Sequence, residues 1–278
     1  MHLFTKSFIV GAISALPCSV SDWHEPTSPI VHGYQLQHLQ VPSQENVKLR
    51  VAATCPAEMV EVDGMYCKDL VQTCVKERKR DLNVKNANHT PPVCEEFSHE
   101  MKCLSKPVHK HFCIDRYEHA EKDSKLPQVY ISWNEAKATC ESEGKRLCVV
   151  EEFQKACEGP NLLGDPIGYG TGFDRDKTVC NIDRPWHNPL TNKFEKIDKR
   201  VPIGSKSNCK SKYGVYDLNA NVDEFVENPN GSYHHEPWVS TLVGGHAYGV
   251  RNVCRAMTVS HDPTFSFWAE GFRCCKAL

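Results

Sequence analysis

The stretch LVGGHAYGVRNVCRAMTVSHDPTFSFWAEGFRCC, residues 242–275, opens on a Gly-Gly pair and closes on Gly-Phe-Arg-Cys-Cys. Gly244 and Gly245 admit backbone angles and close approaches that a side chain forbids. Between them and Gly271 stand Arg251, Arg255, Cys254, His246 and His261, the residue types from which acid–base, anion-binding or metal chemistry is built.

Two upstream runs complete the pattern: Gly-Val-Tyr-Asp-Leu-Asn-Ala-Asn-Val-Asp-Glu-Phe at 214–225 and Gly-Lys-Arg-Leu-Cys at 144–148. Together with the last stretch they resemble the formylglycine-generating enzymes, the sulfatase-modifying-factor domain family. The resemblance covers roughly 108–278. Further matches are Met59-Val60 as an opening strand, Phe112-Cys-Ile-Asp-Arg-Tyr-Glu118, and Ser132-Trp133 with Ala136 ahead of the Gly-Lys-Arg-Leu run. The resemblance implies an α+β fold, a variant of the C-type-lectin-like fold, loop-rich and stapled by disulfides.

Composition narrows the function classes. A net charge of −2 and a pI near 6.7 imply no strongly basic face, so nucleic acid is not an expected partner. No mature segment is long and apolar enough to span a bilayer. Fifteen cysteines dominate the chain, and they lack the Cys-x-x-Cys pairs of a zinc ribbon. Lys6 followed by an apolar run from Phe8 to Leu16 and then small residues has the shape of a signal peptide over 1–21. Export to a secreted, periplasmic or cell-surface location explains the cysteines. Setting Cys18 aside leaves an even number for disulfides; Leu16-Pro17-Cys18 also keeps a lipid anchor open.

Residues 22–54 read as a leader or linker, and 55–278 as the domain, with a cysteine-rich insertion at about 67–107. Pro56 to Gly64 alternates apolar and polar residues and predicts a hairpin turning at Asp63-Gly64. The six cysteines 55, 67, 74, 94, 103 and 113 staple this part, in pairings that spacing does not choose. Asp115 and Glu118 read either as catalytic carboxylates or as braces for the sheet. Ser132 with Glu135 forms a capping box opening a helix that Gly144 ends. A second helix starts in the Lys145–Cys157 run, with Leu147, Val150, Phe153 and Ala156 at core spacing, and ends at Gly159-Pro160. The long irregular stretch 161–213 needs fixing, by a Cys180–Cys209 disulfide or a bound cation. His234-His235-Glu236 reads as a surface loop.

The remaining site assignments are what the resemblance implies. A structural calcium takes Asp217 and Glu224 by side chain and Ala220 and Val222 by carbonyl, oxygen ligands that suit a hard cation; a capped turn without an ion is the other reading. A second calcium uses Asn181 by side chain and Ile182 by carbonyl, with Asp198 as a further candidate. The family disulfides correspond to Cys140–Cys274 and Cys157–Cys254. Cys148 and Cys275 are left to bond to each other, unless the adjacent Cys274 and Cys275 exchange roles. The family holds copper(I) with two thiolates in the pattern Gly-Gly-Ser-x-x-Cys-x-x-x-Tyr-Cys. Laid on Gly244–Cys254 without a gap, the first cysteine falls on Gly249; with a short deletion, Cys254 is the downstream structural cysteine and both catalytic cysteines are missing. Formylglycine generation is therefore not expected.

His246 stands where the family has serine, and with Arg251, Arg255 and His261 it makes the expected cleft. His246, Arg251 and His261 are the catalytic candidates. The two histidines with Asp262 offer an iron(II) triad; plain loop hydrogen bonding is the alternative. The expected function is a monomeric, exported oxidoreductase that uses a metal other than dithiolate copper, acting on a peptide or small molecule. The alternative is a non-catalytic, calcium-stabilised binding protein for a peptide or glycan.

Overall fold

The computed structural model describes residues 54–78, 93–185, 198–249 and 251–278. The segment read as a signal peptide, Cys18 and nearly all of the stretch read as a leader lie outside them.

Strand β1 (Met59–Tyr66) is followed by β2 (Leu70–Val71), β3 (Cys74–Glu77), β4 (Cys94–Phe97), β5 (Lys102–Cys103) and β6 (Val108–Asp115). β1 pairs antiparallel with β6 over its whole length, from Met59 opposite Asp115 to Tyr66 opposite Val108. The turn expected at Asp63-Gly64 is not made: the strand runs straight through it. Gly64 is there for close approach. A Cβ would come within 2.9 Å of the Tyr213 hydroxyl and 3.0 Å of Lys155 Cε, and Tyr213 uses that proximity to donate to the Asp63 carbonyl. Between β1 and β6 the chain makes two small ladders, β2 with β5 and β3 with β4. These are too small to bury a core and are stapled by Cys67–Cys103 and Cys74–Cys94, while Cys55–Cys113 ties the chain ahead of β1 to β6.

Helix α1 (Trp133–Ser142) has Ser132 as N-cap with the reciprocal Glu135 bonds of a capping box, and Gly144 follows its end at φ 67°. Next come β7 (Arg146–Leu147) and α2 (Val150–Glu158). Leu147, expected on the helix, is a strand residue opposite Cys274. The reason is capping: Val149 carries no polar side chain, so the helix starts where the Glu152 carboxylate can accept the Val149 amide (3.0 Å) while Arg146 grips the same carboxylate.

The rest of the chain supplies β8 (Asp223–Glu227), β9 (Ser232–Tyr233), β10 (Glu236–Pro237), β11 (Ser240–Val243), β12 (Met257–Thr258), β13 (Glu270–Phe272) and β14 (Cys274–Ala277). One four-stranded sheet has the order β1-β6-β14-β7 and the other β12-β11-β8-β13, with β13 parallel to β8. His234 and His235, both at positive φ, are the exposed two-residue turn between β9 and β10.

Val62, Phe112 and Ile114 pack on Phe153 and Ala156 of α2. Trp133 and Ala136 of α1 pack on Phe225, Leu242 and Phe272. Successive strand residues face opposite sides, so Cys274 enters the α1 cluster and bonds Cys140, whereas Cys275 enters the α2 cluster and bonds Cys148. Cys157–Cys254 and Cys180–Cys209 complete seven bridges, which use every cysteine from Cys55 onward. The architecture is α+β, loop-rich and disulfide-stapled. Among the described residues no helix is long and apolar enough to cross a membrane.

Candidate functional site

His246, Arg251 and His261, three of the four residues expected to line a cleft, gather at one end of the β12-β11-β8-β13 sheet. Asp223 opens β8 and Glu270 opens β13, and the parallel register sets them opposite each other. Both are 4 % exposed, and Asp223 Oδ1 and Glu270 Oε2 have no hydrogen-bond partner among the described residues. Arg251, held at φ 64°, donates to Asp223 Oδ2 and to Thr258 Oγ1. His246 is buried against Tyr248 and Trp268, and its Nδ1 accepts the Tyr248 amide at 3.2 Å. His261 stacks on Phe265 at 4.1 Å, and its carbonyl accepts the Trp238 indole.

Burial dominates the electrostatics here. It pushes the Glu270 carboxyl up to about 8, with the Asp223 charge adding to the rise and Arg251 opposing it. It holds His246 and His261 below the usual imidazole range, Arg251 adding to the effect in both. At neutral pH two neutral imidazoles and one carboxylic acid, Glu270, lie beside the hydrogen-bonded Arg251 and Asp223. His246, Arg251 and His261 thus gather round Asp223. Asp223 and Glu270 escaped the sequence reading. The available signal was a carboxylate inside the short apolar strand Ala269-Glu-Gly-Phe272. Arg255 goes elsewhere, to the Glu158 carboxylate and the Cys67 and Lys68 carbonyls.

Asp262 does not join this group. It is fully exposed to solvent and its carboxylate caps the Thr264 amide and hydroxyl. The iron triad as drawn is not assembled, and among the described residues no group of three His, Cys, Asp or Glu side chains is arranged for a metal.

The calcium ligand set fares similarly. Both oxygens of the fully buried Glu224 are gripped by Arg273 at 2.6 Å, and that guanidinium also donates to the Tyr216 and Asp115 carbonyls. Asp217 Oδ2 accepts the Gly204 amide at 2.9 Å, and its Oδ1 is unpartnered. Ala220 and Val222 are buried in the turn between them, Ala220 donating its amide to the Asp217 carbonyl. Asn181 is a three-way bracket: its amide donates to the Lys199 carbonyl and Asn221 Oδ1, and its Oδ1 accepts from Arg184. Ile182 packs in the core beside Cys180, and Asp198 is held by Arg200. A guanidinium occupies the Glu224, Asn181 and Asp198 oxygens that the cation would need, so neither set fits calcium as drawn, although Asp217 Oδ1 stays unpartnered among the described residues. Of the other carboxylates, Asp115 braces the sheet, accepting from Lys145 and from the Cys274 amide. Glu118 accepts from Asn221 with its other oxygen unpartnered.

The position that the ungapped alignment gives the family's first copper thiolate is closed. Gly249 has φ 78°, and a Cβ there would sit 2.2 Å from Asp183 Oδ1. Asp183 is immobilised by Arg78 and Arg175, and Arg175 also reaches Asn252. Cys254 is in its bond with Cys157, at 0 % exposure. Two thiolates for copper(I) are not available.

Residues 34–278 match the domain described as "Sulfatase-modifying factor enzyme 1-like domain". The chain belongs to this family. The match begins inside the stretch read above as a leader. Two relatives share the description "Inactive C-alpha-formylglycine-generating enzyme 2". The one from Mus musculus is 29% identical over 166 residues, covering 55% of this chain and 49% of the relative. The one from Bos taurus is 28% identical over 165 residues, covering 54% and 50%. The chain thus spans about half the length of the curated relatives it matches. Among solved structures, CarF aligns with a TM-score of 0.49 at 15% identity over 80% of this chain and 99% of its own. PvdO from Pseudomonas aeruginosa aligns with 0.47 at 16% identity over 79% and 94%.

Proposed function

We propose that this protein is a non-catalytic member of the sulfatase-modifying-factor family, working outside the cytoplasm as a binding protein for a peptide ligand. The observation that carries this reading is Cys254: it is buried in its bond with Cys157, as the alignment with a deletion requires, so neither thiolate of a formylglycine-generating site is present. The closed backbone at Gly249, where the ungapped alignment would put the first thiolate, and the name borne by the two relatives support it. Seven disulfides suit an oxidising compartment. The oxidoreductase reading depends on a histidine–Asp262 triad that does not gather, so the geometry favours binding.

The surface proposed for the peptide is the cleft of about 80 Å³ lined by Val129, Tyr130, Asp198, Arg200 and Trp268. Tyr130 is 68% exposed, and Trp268 links the cleft to His246 by ring contact. A Cys-x-Pro-x-Arg peptide should emerge unconverted after incubation with copper(I) and oxygen, while peptide binding should quench tryptophan fluorescence in wild type and weaken on Tyr130→Ala. Conversion of the cysteine to formylglycine by wild type would overturn the reading.

A further inference from the structure

A second cleft, of about 300 Å³, lies between the 165–170 loop and the 208–212 turn, lined by Asp165, Tyr169, Asn208, Lys210, Ser211 and Lys212. Both walls are rigid. Gly168 lies directly on the Cys157–Cys254 bridge, where a Cβ would be 2.7 Å from Cys157 Sγ. The opposite turn is anchored by Cys180–Cys209 and closed by Ser211 N–H to the Val215 carbonyl and Gly214 N–H to the Ser211 carbonyl.

The floor is polar and unsatisfied. Ser211 is 5% exposed, and its hydroxyl has no partner among the described residues; Tyr169, equally buried, turns its phenol towards the Asp176 amide and lines the cleft with its ring. Beneath them a recess of about 10 Å³ reaches Asn219, whose Oδ1 is also unpartnered; that space suits one water. Leaving a buried hydroxyl unmatched is costly, and none of the described residues matches that of Ser211. Exposed Lys210 and Lys212 stand at the rim. The single carboxylate of the lining, Asp165, is already paired with Lys212 at 2.7 Å. The cleft therefore offers one hydroxyl donor, two ammonium groups and an amide against one acid, Asp165, which pairs with Lys212.

We infer that this cleft binds an oxyanion, a phosphate or sulfate group, with Ser211 donating from the floor and Lys210 and Lys212 from the rim. Charge-assisted hydrogen bonds to such a group are the strong kind, and walls fixed by disulfides lose little entropy on binding. The volume leaves room for the group to arrive free or as an ester on a larger molecule.

Calorimetric titration of the oxidised, full-length protein with inorganic phosphate and with sulfate tests this, at ionic strength held constant with chloride. Saturable binding is expected. Lys210→Ala and Ser211→Ala should each weaken it about tenfold, the effect of losing one hydrogen bond to a charged group. Lys276→Ala, an exposed lysine on β14, should leave it unchanged. Both lysine changes are at exposed positions, and melting curves check that every variant folds. Phenyl phosphate and phenyl sulfate separate the sources: tighter binding than the inorganic ion points to an ester presented by a larger molecule, equal binding to the free ion. Heats no greater than those of chloride, or Lys210→Ala and Ser211→Ala variants that bind like wild type, would overturn the assignment.

Discussion

At Gly249 the backbone leaves no room for the thiolate that the ungapped alignment puts there. Restoring the cysteine by Gly249→Cys places a Cβ 2.2 Å from Asp183 Oδ1 in a left-handed backbone, and Asp183 cannot yield while two arginines hold it. The variant should lose about 1–3 kcal/mol of stability, the usual cost of such strain, and still leave a formylglycine-type peptide unchanged. Thermal melts and peptide mass spectra check both halves. Glu270 makes a separate prediction. Its folded-state value of about 8 lies above the ordinary carboxyl value, so between about pH 4.5 and 8 the folded state holds a proton that the unfolded chain has lost. Stability from this group is full below that window and falls as pH rises through it. His246 works in the opposite sense. Its imidazole is held low by burial, so its contribution fades as pH drops below the ordinary histidine value. Melting temperature should decline from pH 6 towards pH 8, and Glu270→Gln should flatten that decline; a slope unchanged by the substitution would show that Glu270 is ionised throughout.

Between elements, the fully buried Arg273 of the segment joining β13 to β14 ties β8 to β6 through Glu224 and the Asp115 carbonyl. Removing one partner of a buried ion pair strands the other charge, which costs about 3–5 kcal/mol. Arg273→Met should therefore be severe, and Arg273→Met with Glu224→Leu should be markedly milder than the two single costs added, because neither charge is left alone. Urea unfolding of the three variants measures the coupling. The same pair bears on the motif reading. Asp217 to Glu224 looked like a row of cation ligands, yet its terminal glutamate serves an arginine that the sequence places 49 positions away. Asn181 behaves alike, bracketing Lys199, Asn221 and Arg184.

For the molecule as a whole, long-range bridges set the stability. Cys140–Cys274 and Cys148–Cys275 close loops of 134 and 127 residues, and Cys157–Cys254 one of 97. Closure of loops this long contributes about 4–5 kcal/mol each on the chain-entropy account. Cys157→Ser and Cys254→Ser should each cost about 2–5 kcal/mol and resemble one another in their melting curves. A Cys254→Ser variant that kept its stability would mean that Cys254 does not depend on Cys157. Alkylation of the unreduced protein should label none of the cysteines from Cys55 onward, as judged by intact mass.

The sequence alone determined the α+β architecture, because the capping box at Ser132, the helical spacing of Val150, Phe153 and Ala156, and the family runs at 144–148 and 214–225 are local signals. It also determined that the two copper thiolates are missing, since that needs only an aligned motif. Tertiary structure decided the rest. It paired the six insertion cysteines, kept β1 straight through Asp63-Gly64, and moved Leu147 from helix to strand. It assigned Glu224 to Arg273, Asp262 to its own turn, and Asp223 and Glu270 to each other. In each case the deciding partner is distant in sequence. A side chain's role at a buried site is set by which charge or donor the fold delivers to it, and spacing along the chain does not carry that information.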